Sequence, residues 1–287
     1  MLSQNKIKLI ECPRDAMQGW SRFIPTEQKI AYINSLLQVG FDTLDFGSFV
    51  SPKAIPQMAD TKEVLNKINL DKTETKLLAI VANTRGAEEA VGYEQIHYLG
   101  YPFSVSETFQ QKNTNASIED AFNQVSYIQE LCVKNNKSLV VYISMGFGNP
   151  YGDLYNEEIV FKWAEKLSGI GVKIISLADT VGIAASHQVK FITQHLIESL
   201  PQIEIGVHLH STASHWKEKI DAAIEARCTR FDGALKGIGG CPMAGNDLVG
   251  NINTELMLPY FQTLGRLNPI NEEALNHSIQ LAGKIFI

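Results

Sequence analysis

The segment Val207-His208-Leu209-His210 sets two imidazoles at positions i and i+2. On an extended strand such residues share a face. Two imidazoles on one face of a strand end can chelate a single divalent ion; two buried, hydrogen-bonded histidines are the plain alternative. Arg14-Asp15 follows an apolar run near the start of the chain. A dipeptide of this kind usually marks a solvated turn. Placed after a strand, its carboxylate could reach the same ion and its guanidinium could neutralise or orient a substrate oxygen. Asn251 offers a neutral amide oxygen. Asp15, His208, His210 and Asn251 form a mixed oxygen and nitrogen set with room for substrate and water. Such a set suits octahedral Mg2+ or Mn2+, admits Zn2+ or Co2+, and argues against a closed thiolate zinc site.

Three further features carry possible chemistry. Gly237-Ile238-Gly239-Gly240-Cys241-Pro242 reads as a mobile loop in which glycines allow close approach to a ligand. No Lys-Ser/Thr follows it, which excludes a P-loop. A thiol on such a loop can donate a proton to carbon or act as a nucleophile; an inert thiol in a plain turn fits the residues equally well. Asp45 and Asp179 end strand-like runs. Helix N-caps are the common explanation of such residues; facing a cation, either could move a proton or orient a ligand. Cys12, Cys132 and Cys228 read as packing residues, and the four cysteines form no C-x-x-C pair. Trp20 reads as partly buried surface, or as a shaper of a pocket mouth.

The elements that must hold these groups alternate along the whole chain. Strand-like runs fall at residues 7–12, 43–46, 77–82, 95–99, 139–144, 172–177, 203–209 and 230–234. Helical spacing fills 25–39, 117–135, 157–168, 187–199, 214–226, 255–264 and 272–285. Ser117 reads as an N-cap, with Asp120 three residues on. The runs are almost continuously apolar, as strands covered on both faces must be. A single (β/α)8 TIM barrel over 1–287, with 272–287 as an appended C-terminal helix, is the expected architecture. An open doubly wound sheet is the alternative, weakened because no G-x-G-x-x-G follows the first strand. In a barrel, chemistry belongs at the C-terminal strand ends. Arg14-Asp15, Asp45, Glu107, Asp179, His208 and His210, and the Gly-rich loop with Cys241 and Asn251 all fall there.

Bulk properties narrow the function class. The chain has 287 residues, 45% hydrophobic and 20% charged, enough for a sizeable core. With 25 Lys+Arg against 31 Asp+Glu the net charge is −6. That balance, without a basic cluster, disfavours nucleic acid or an anionic membrane as partner. No run approaches 18 uninterrupted apolar residues, and the first twelve residues lack a signal-peptide pattern. The cytoplasm is the expected location.

Several longer segments resemble the 3-hydroxy-3-methylglutaryl-CoA lyases, members of a superfamily of metal-dependent barrels that make or break carbon–carbon bonds. They are Glu11-Cys12-Pro13-Arg14-Asp15-Ala16-Met17-Gln18, Ser48-Phe49-Val50-Ser51-Pro52-Lys53, Ser106-Glu107-Thr108-Phe109, Leu177-Ala178-Asp179-Thr180, the histidine pair, the 237–242 loop and Gly250-Asn251-Ile252-Asn253. The resemblance implies that Asp15, His208, His210 and Asn251 hold a divalent ion. It implies that Arg14 steadies a developing enolate oxygen, that Cys241 sits on a closing loop, and that Asp179 and Asp45 are acidic residues of the site. Arg14, Gln18 and Ser48 are the expected substrate contacts. The implied reaction is retro-Claisen cleavage of an acyl-CoA to acetyl-CoA and acetoacetate, by a homodimer. His208, Asp45 or Asp179 is the implied base, and Cys241 a proton donor. A related superfamily lyase or condensing enzyme, acting on another acyl-CoA or a 2-oxoacid, is the alternative.

The chain departs from the family pattern in places. Asp45 stands where a glutamate is usual, Gly19-Trp20-Ser21 replaces Asn-Glu-Lys, and Ser211 replaces an aspartate. A basic residue expected near the fifth strand is absent from 139–141, and the Cys241-to-Asn251 spacing is one residue longer than usual.

Overall fold

The structure, a computed structural model, describes residues 6–240 and 249–287. Eight strands close into a barrel in chain order: β1 (Lys8–Glu11), β2 (Thr43–Ser48), β3 (Lys76–Ile80), β4 (Ile96–Ser104), β5 (Ser138–Ser144), β6 (Ile174–Asp179), β7 (Glu204–Leu209) and β8 (Arg230–Gly233). Every pairing is parallel, and β8 closes on β1 with Lys8 opposite Arg230 and Ile10 opposite Asp232. This is the (β/α)8 architecture that the alternation of runs predicts. Its apolar residues divide in two. A large cluster lies between strands and helices, while Leu78, Ile80, Val140, Tyr142 and Ile174 form a small one of their own, as side chains facing the barrel interior must.

The helices are α1 (Pro13–Gln18), α2 (Thr26–Leu37), α3 (Thr61–Lys67), α4 (Thr84–Ala90), α5 (Glu107–Thr114), α6 (Ile118–Lys134), α7 (Glu157–Gly169), α8 (Ser186–Ser199), α9 (Trp216–Glu225), α10 (Thr254–Thr263) and α11 (Glu272–Ile285). Ser117 caps α6 as expected, its Oγ accepting from Asp120 N at 3.1 Å. Among the described residues no helix is long and apolar enough to cross a membrane.

Three local features differ from the sequence reading, and two of them shape the site. Arg14-Asp15 lies in a buried helix, α1, rather than a solvated turn; Pro13 opens it with a φ already suited to a helix. β4 runs on through Gly100 and Pro102 to Ser104, five residues beyond the strand-like run that ends at 99. Gly100 is there for space: a Cβ would stand 2.5 Å from Ile80 Cδ1 and 3.1 Å from Tyr142 Cε2 inside the barrel. The register of β2 on β3 shifts between Asp45 and Gly47. That bulge at Phe46 turns both Asp45 and Ser48, three residues apart, towards one cavity.

Candidate active site

A cavity of about 310 Å3 opens among the C-terminal strand ends. Its polar lining includes Arg14, Asp15, Gln18, Asp45, Ser48, His208 and His210, and its apolar wall includes Trp20, Val50, Ile55 and Phe109. Residues from β1's following helix, β2 and β7 thus converge although up to about two hundred positions separate them.

Arg14 is the hub. Its Nε and Nη2 donate to Asp45, the latter at 2.5 Å, and its Nη1 donates to Asp15 Oδ1 at 3.1 Å. Burial would raise the Asp15 pKa, but Arg14, His208, His210 and the Asn251 hydrogen bond outweigh it and hold the carboxyl at about 2. Asp15 is therefore an anion at neutral pH. Asp45 is more deeply buried, and desolvation lifts its pKa to about 6 in spite of Arg14. Gln18 Nε2 donates to Asp15 Oδ1 at 2.8 Å. Ser48 Oγ accepts from Val50 N at 3.2 Å at the end of β2.

His208 belongs to β7 and His210 follows that strand, in a bridge with Asn251. Their Nε2 atoms face each other at 3.2 Å. His208 Nδ1 lies 3.1 Å from Asp232 Oδ2, an arrangement that puts the proton on Nδ1 and the lone pair on Nε2. Burial disfavours the His208 imidazolium, but the Asp232 hydrogen bond and charge win and raise its pKa. Burial and the neighbouring His208 drop His210 to about 3, so its ring is neutral. Asn251 Nδ2 donates to Asp15 Oδ2 at 2.7 Å and to Ile238 O at 2.9 Å. Gly239 passes so close that a Cβ would stand 2.4 Å from Asn251 Nδ2 and 2.8 Å from Asp15 Oδ2, and its φ of +112° is one that glycine alone adopts freely.

The donor set fits a divalent ion. Ligand atoms of Asp15, His208 and His210 lie within 4.8 Å of one another. Nitrogens on adjacent corners of a four- or six-coordinate centre with ~2.1 Å bonds stand roughly 3.0–3.4 Å apart, which brackets the imidazole spacing.

Other sequence candidates lie elsewhere. Asp179 ends β6 but does not line the cavity. It accepts from Lys219 Nζ at 2.6 Å and from Ala184 N, and burial raises its pKa against the pull of Lys219. Glu107 is exposed on α5, where Oε2 accepts from Ile118 N. Cys241 lies outside the described residues; it follows Gly240, whose N donates to Asp15 Oδ2 at 3.2 Å. Sequence reasoning missed two residues. Asp232 has only its place in a short strand to mark it. Lys219 stands among the buried positions Ile220, Ala222 and Ala223 of α9, where a lysine needs an anion, and its Nζ also donates to His210 O at 2.8 Å.

Comparison with known proteins agrees with this geometry. The HMGL-like family model matches residues 6–281. The mitochondrial hydroxymethylglutaryl-CoA lyase of Mus musculus is 31% identical over 273 residues, covering 94% of this chain and 82% of the mouse protein. The human 3-hydroxy-3-methylglutaryl-CoA lyase named as cytoplasmic is 31% identical over 268 residues, covering 92% and 71%. An HMG-CoA lyase from Acinetobacter baumannii, solved with coenzyme A and 3-methylmalate, superposes with a TM-score of 0.91 at 31% identity, over 100% of this chain and 93% of that one. On this match, which spans the barrel and every candidate ligand, the chain belongs to the HMGL-like family.

Proposed function

We propose that this protein cleaves 3-hydroxy-3-methylglutaryl-CoA to acetyl-CoA and acetoacetate in a metal-dependent reaction. The observation that carries the reading is the convergence of Arg14, Asp15, Asp45 and the histidine pair on one cavity, in a chain whose relatives are named as lyases of that substrate. Asp15, His208 and His210 would hold the ion, with the Asn251 amide oxygen as the fourth ligand. A bound Mg2+ or Mn2+ would supply Lewis acidity towards the hydroxyl and carbonyl oxygens of the substrate.

The remaining chemistry belongs to the side chains. Asp45 is the cavity-lining carboxylate outside the ligand cluster, so it takes the tertiary hydroxyl proton, as a base poised at about 6 can at neutral pH. His208 belongs to the ligand cluster and Asp179 does not line the cavity, which leaves Asp45 the better base. As the carbon–carbon bond breaks, charge gathers on the thioester oxygen, and Arg14 offsets it. Gln18 and Ser48 line the same cavity and position the substrate. Cys241 donates the proton that completes acetyl-CoA. Cys241→Ser is expected to lower kcat at least a hundredfold with the unfolding temperature unchanged; undiminished turnover rejects the donor role.

The test of the whole reading is acetoacetate release from the CoA ester with Mg2+ or Mn2+, and with EDTA as control. Folded protein that binds the ion but leaves this substrate intact would overturn it. Because Gly19 and Trp20 line the cavity where the family usually has Asn-Glu, a related acyl-CoA is the second reading, and a panel of thioesters separates the two. We place the protein in the cytoplasm, a reading supported by the human relative, which is itself named as cytoplasmic; the mouse relative is named as mitochondrial, and fractionation of the producing cells distinguishes the compartments. A homodimer completes the reading, and its test is the mass in solution.

A further inference from the structure

Arg230 opens β8, and its side chain is wholly buried inside the barrel. Its Nε, Nη1 and Nη2 have no hydrogen-bond partner among the described residues. Glu204 Oε1 lies 3.6 Å away, too far for a hydrogen bond. The stem crosses Gly206 of β7, where a Cβ would stand 2.9 Å from both Arg230 Cγ and Cδ. The register continues the row around the wall: Arg230 is opposite Gly206, Gly206 opposite Ser176 on β6, and Ser176 opposite Tyr142 on β5. Ser176 Oγ and the Tyr142 hydroxyl are likewise buried without partners. Asp232 lies two residues along β8 from Arg230 and so on the same face. One of its oxygens meets His208; the other, Oδ1, is buried and unpartnered. Tyr142 also touches the His208 ring edge-on at 5.8 Å.

The guanidinium has an ion-pair neighbour in Glu204 and the Tyr98 ring at 5.8 Å, but its buried N–H groups lack hydrogen bonds, and buried polar groups are normally satisfied by protein or ordered water. Asp232 and Glu204 already supply negative charge around Arg230 and favour its cationic form against burial. The row therefore calls for a neutral ligand that both donates and accepts. That ligand is water, which settles where several polar partners converge.

We propose that Arg230, Ser176, Tyr142 and Asp232 bind a cluster of ordered water that forms a polar floor beneath the histidine pair, and that Arg230 positions Asp232, and through it His208, for cation binding. The second half rests on the metal reading of Asp15, His208 and His210. The first half does not.

Calorimetric titration with Mn2+ tests the positioning role. Changes to groups that orient a metal-binding histidine typically weaken affinity about 10–100-fold. Asp232→Asn is expected in that range, and Arg230→Met at about fivefold or more. The double variant is expected to bind no more weakly than Asp232→Asn alone, because the arginine acts through the aspartate. Losses that multiply, or an Arg230→Met protein with lower thermal stability but unchanged affinity, would overturn the role. If Arg230→Met does not fold, Gly206→Ala displaces the guanidinium without removing its charge; weakened Mn2+ binding supports the proposal and unchanged binding rejects it. Ser176→Ala tests the water in metal-free protein. A hydroxyl that anchors water is missed, so the unfolding temperature should fall by about 2–4 °C; a dry, unpaired hydroxyl is better removed, and an unchanged or higher temperature would refute the hydrated floor. Wild-type protein that binds no Mn2+ would refute the metal reading, while the Ser176 result still decides the floor.

Discussion

Asp45 shows how burial and one neighbour set the pKa of a carboxyl. It is the shorter acid where the family usually has glutamate, it is gripped by Arg14 on two nitrogens, and burial still lifts its pKa to about 6. A base must be ionised to act, so activity should rise with pH through about 6 and level off above it. Asp45→Asn is expected to lose that acid limb and about 10²-fold or more in kcat. Initial rates between pH 5 and 8 check it; an acid limb that survives in the variant assigns the base elsewhere. Asp15 answers oppositely to the same burial. More cationic and hydrogen-bonding groups surround it, and it remains an anion down to about pH 2.

Elements meet at Glu11, the last residue of β1. Its carboxyl is fully buried; Oε1 accepts from Leu235 N at 2.8 Å and Oε2 from Thr254 Oγ1 at 2.6 Å. It thereby ties β1 to both the start and the end of the segment that carries Gly239 and Asn251. Desolvation lifts its pKa from 4.5 to about 8, against the pull of both hydrogen bonds. Between those values the folded state holds a proton that the unfolded chain gives up. The stabilisation is full below about pH 4.5 and is lost as pH rises through about 8. In Glu11→Gln the unfolding temperature should fall less between pH 6 and 8.5 than in the wild type. Equal slopes in the two proteins would show that the carboxyl stays charged in the fold.

Across the whole molecule, the C-terminus reaches the cavity mouth. α11 packs on α2 through Ser278 Oγ, which donates to Ser35 Oγ at 2.8 Å. Beyond its end, the Phe286 ring meets Trp20 edge-on at 5.2 Å and Tyr32 at 6.2 Å. Trp20 lines the cavity and Gln57 Nε2 holds its carbonyl at 3.1 Å, so the tail helps fix one wall of the cavity. Phe286→Ala is expected to raise KM severalfold with kcat nearly unchanged; steady-state kinetics would show an unaltered KM if the contact were idle. The ion should act on the whole fold as well. At a concentration of about 100 Kd, Mn2+ binding adds about 2.7 kcal/mol, or roughly 5–10 °C in unfolding temperature, and EDTA should reverse it. A melting curve indifferent to Mn2+ would contradict a site formed only in the folded state.

The barrel was legible from the alternation of apolar runs and helical spacing, because strands buried on both faces must be apolar from end to end. The histidine pair was legible because a two-residue spacing has one meaning on a strand. Ser117 declared itself as a cap through the acid three residues on. What the residues concealed depends on long-range contacts. The fourth strand-like run reads as ending at 99, yet β4 continues through Gly100 and Pro102, and the neighbouring Ile80 and Tyr142 take the space that glycine leaves. Arg230 is only one residue of a short strand-like run in sequence; that its stem crosses Gly206 and its guanidinium lies inside the barrel follows from closure. Asp179 looks equal to Asp45 in sequence, but Lys219 from α9 claims one while the cavity receives the other. Local pattern sets which strands and helices form. Which carboxylate faces the cavity, which faces a lysine and which meets an imidazole follows from barrel closure, which brings residues about two hundred positions apart within hydrogen-bond reach.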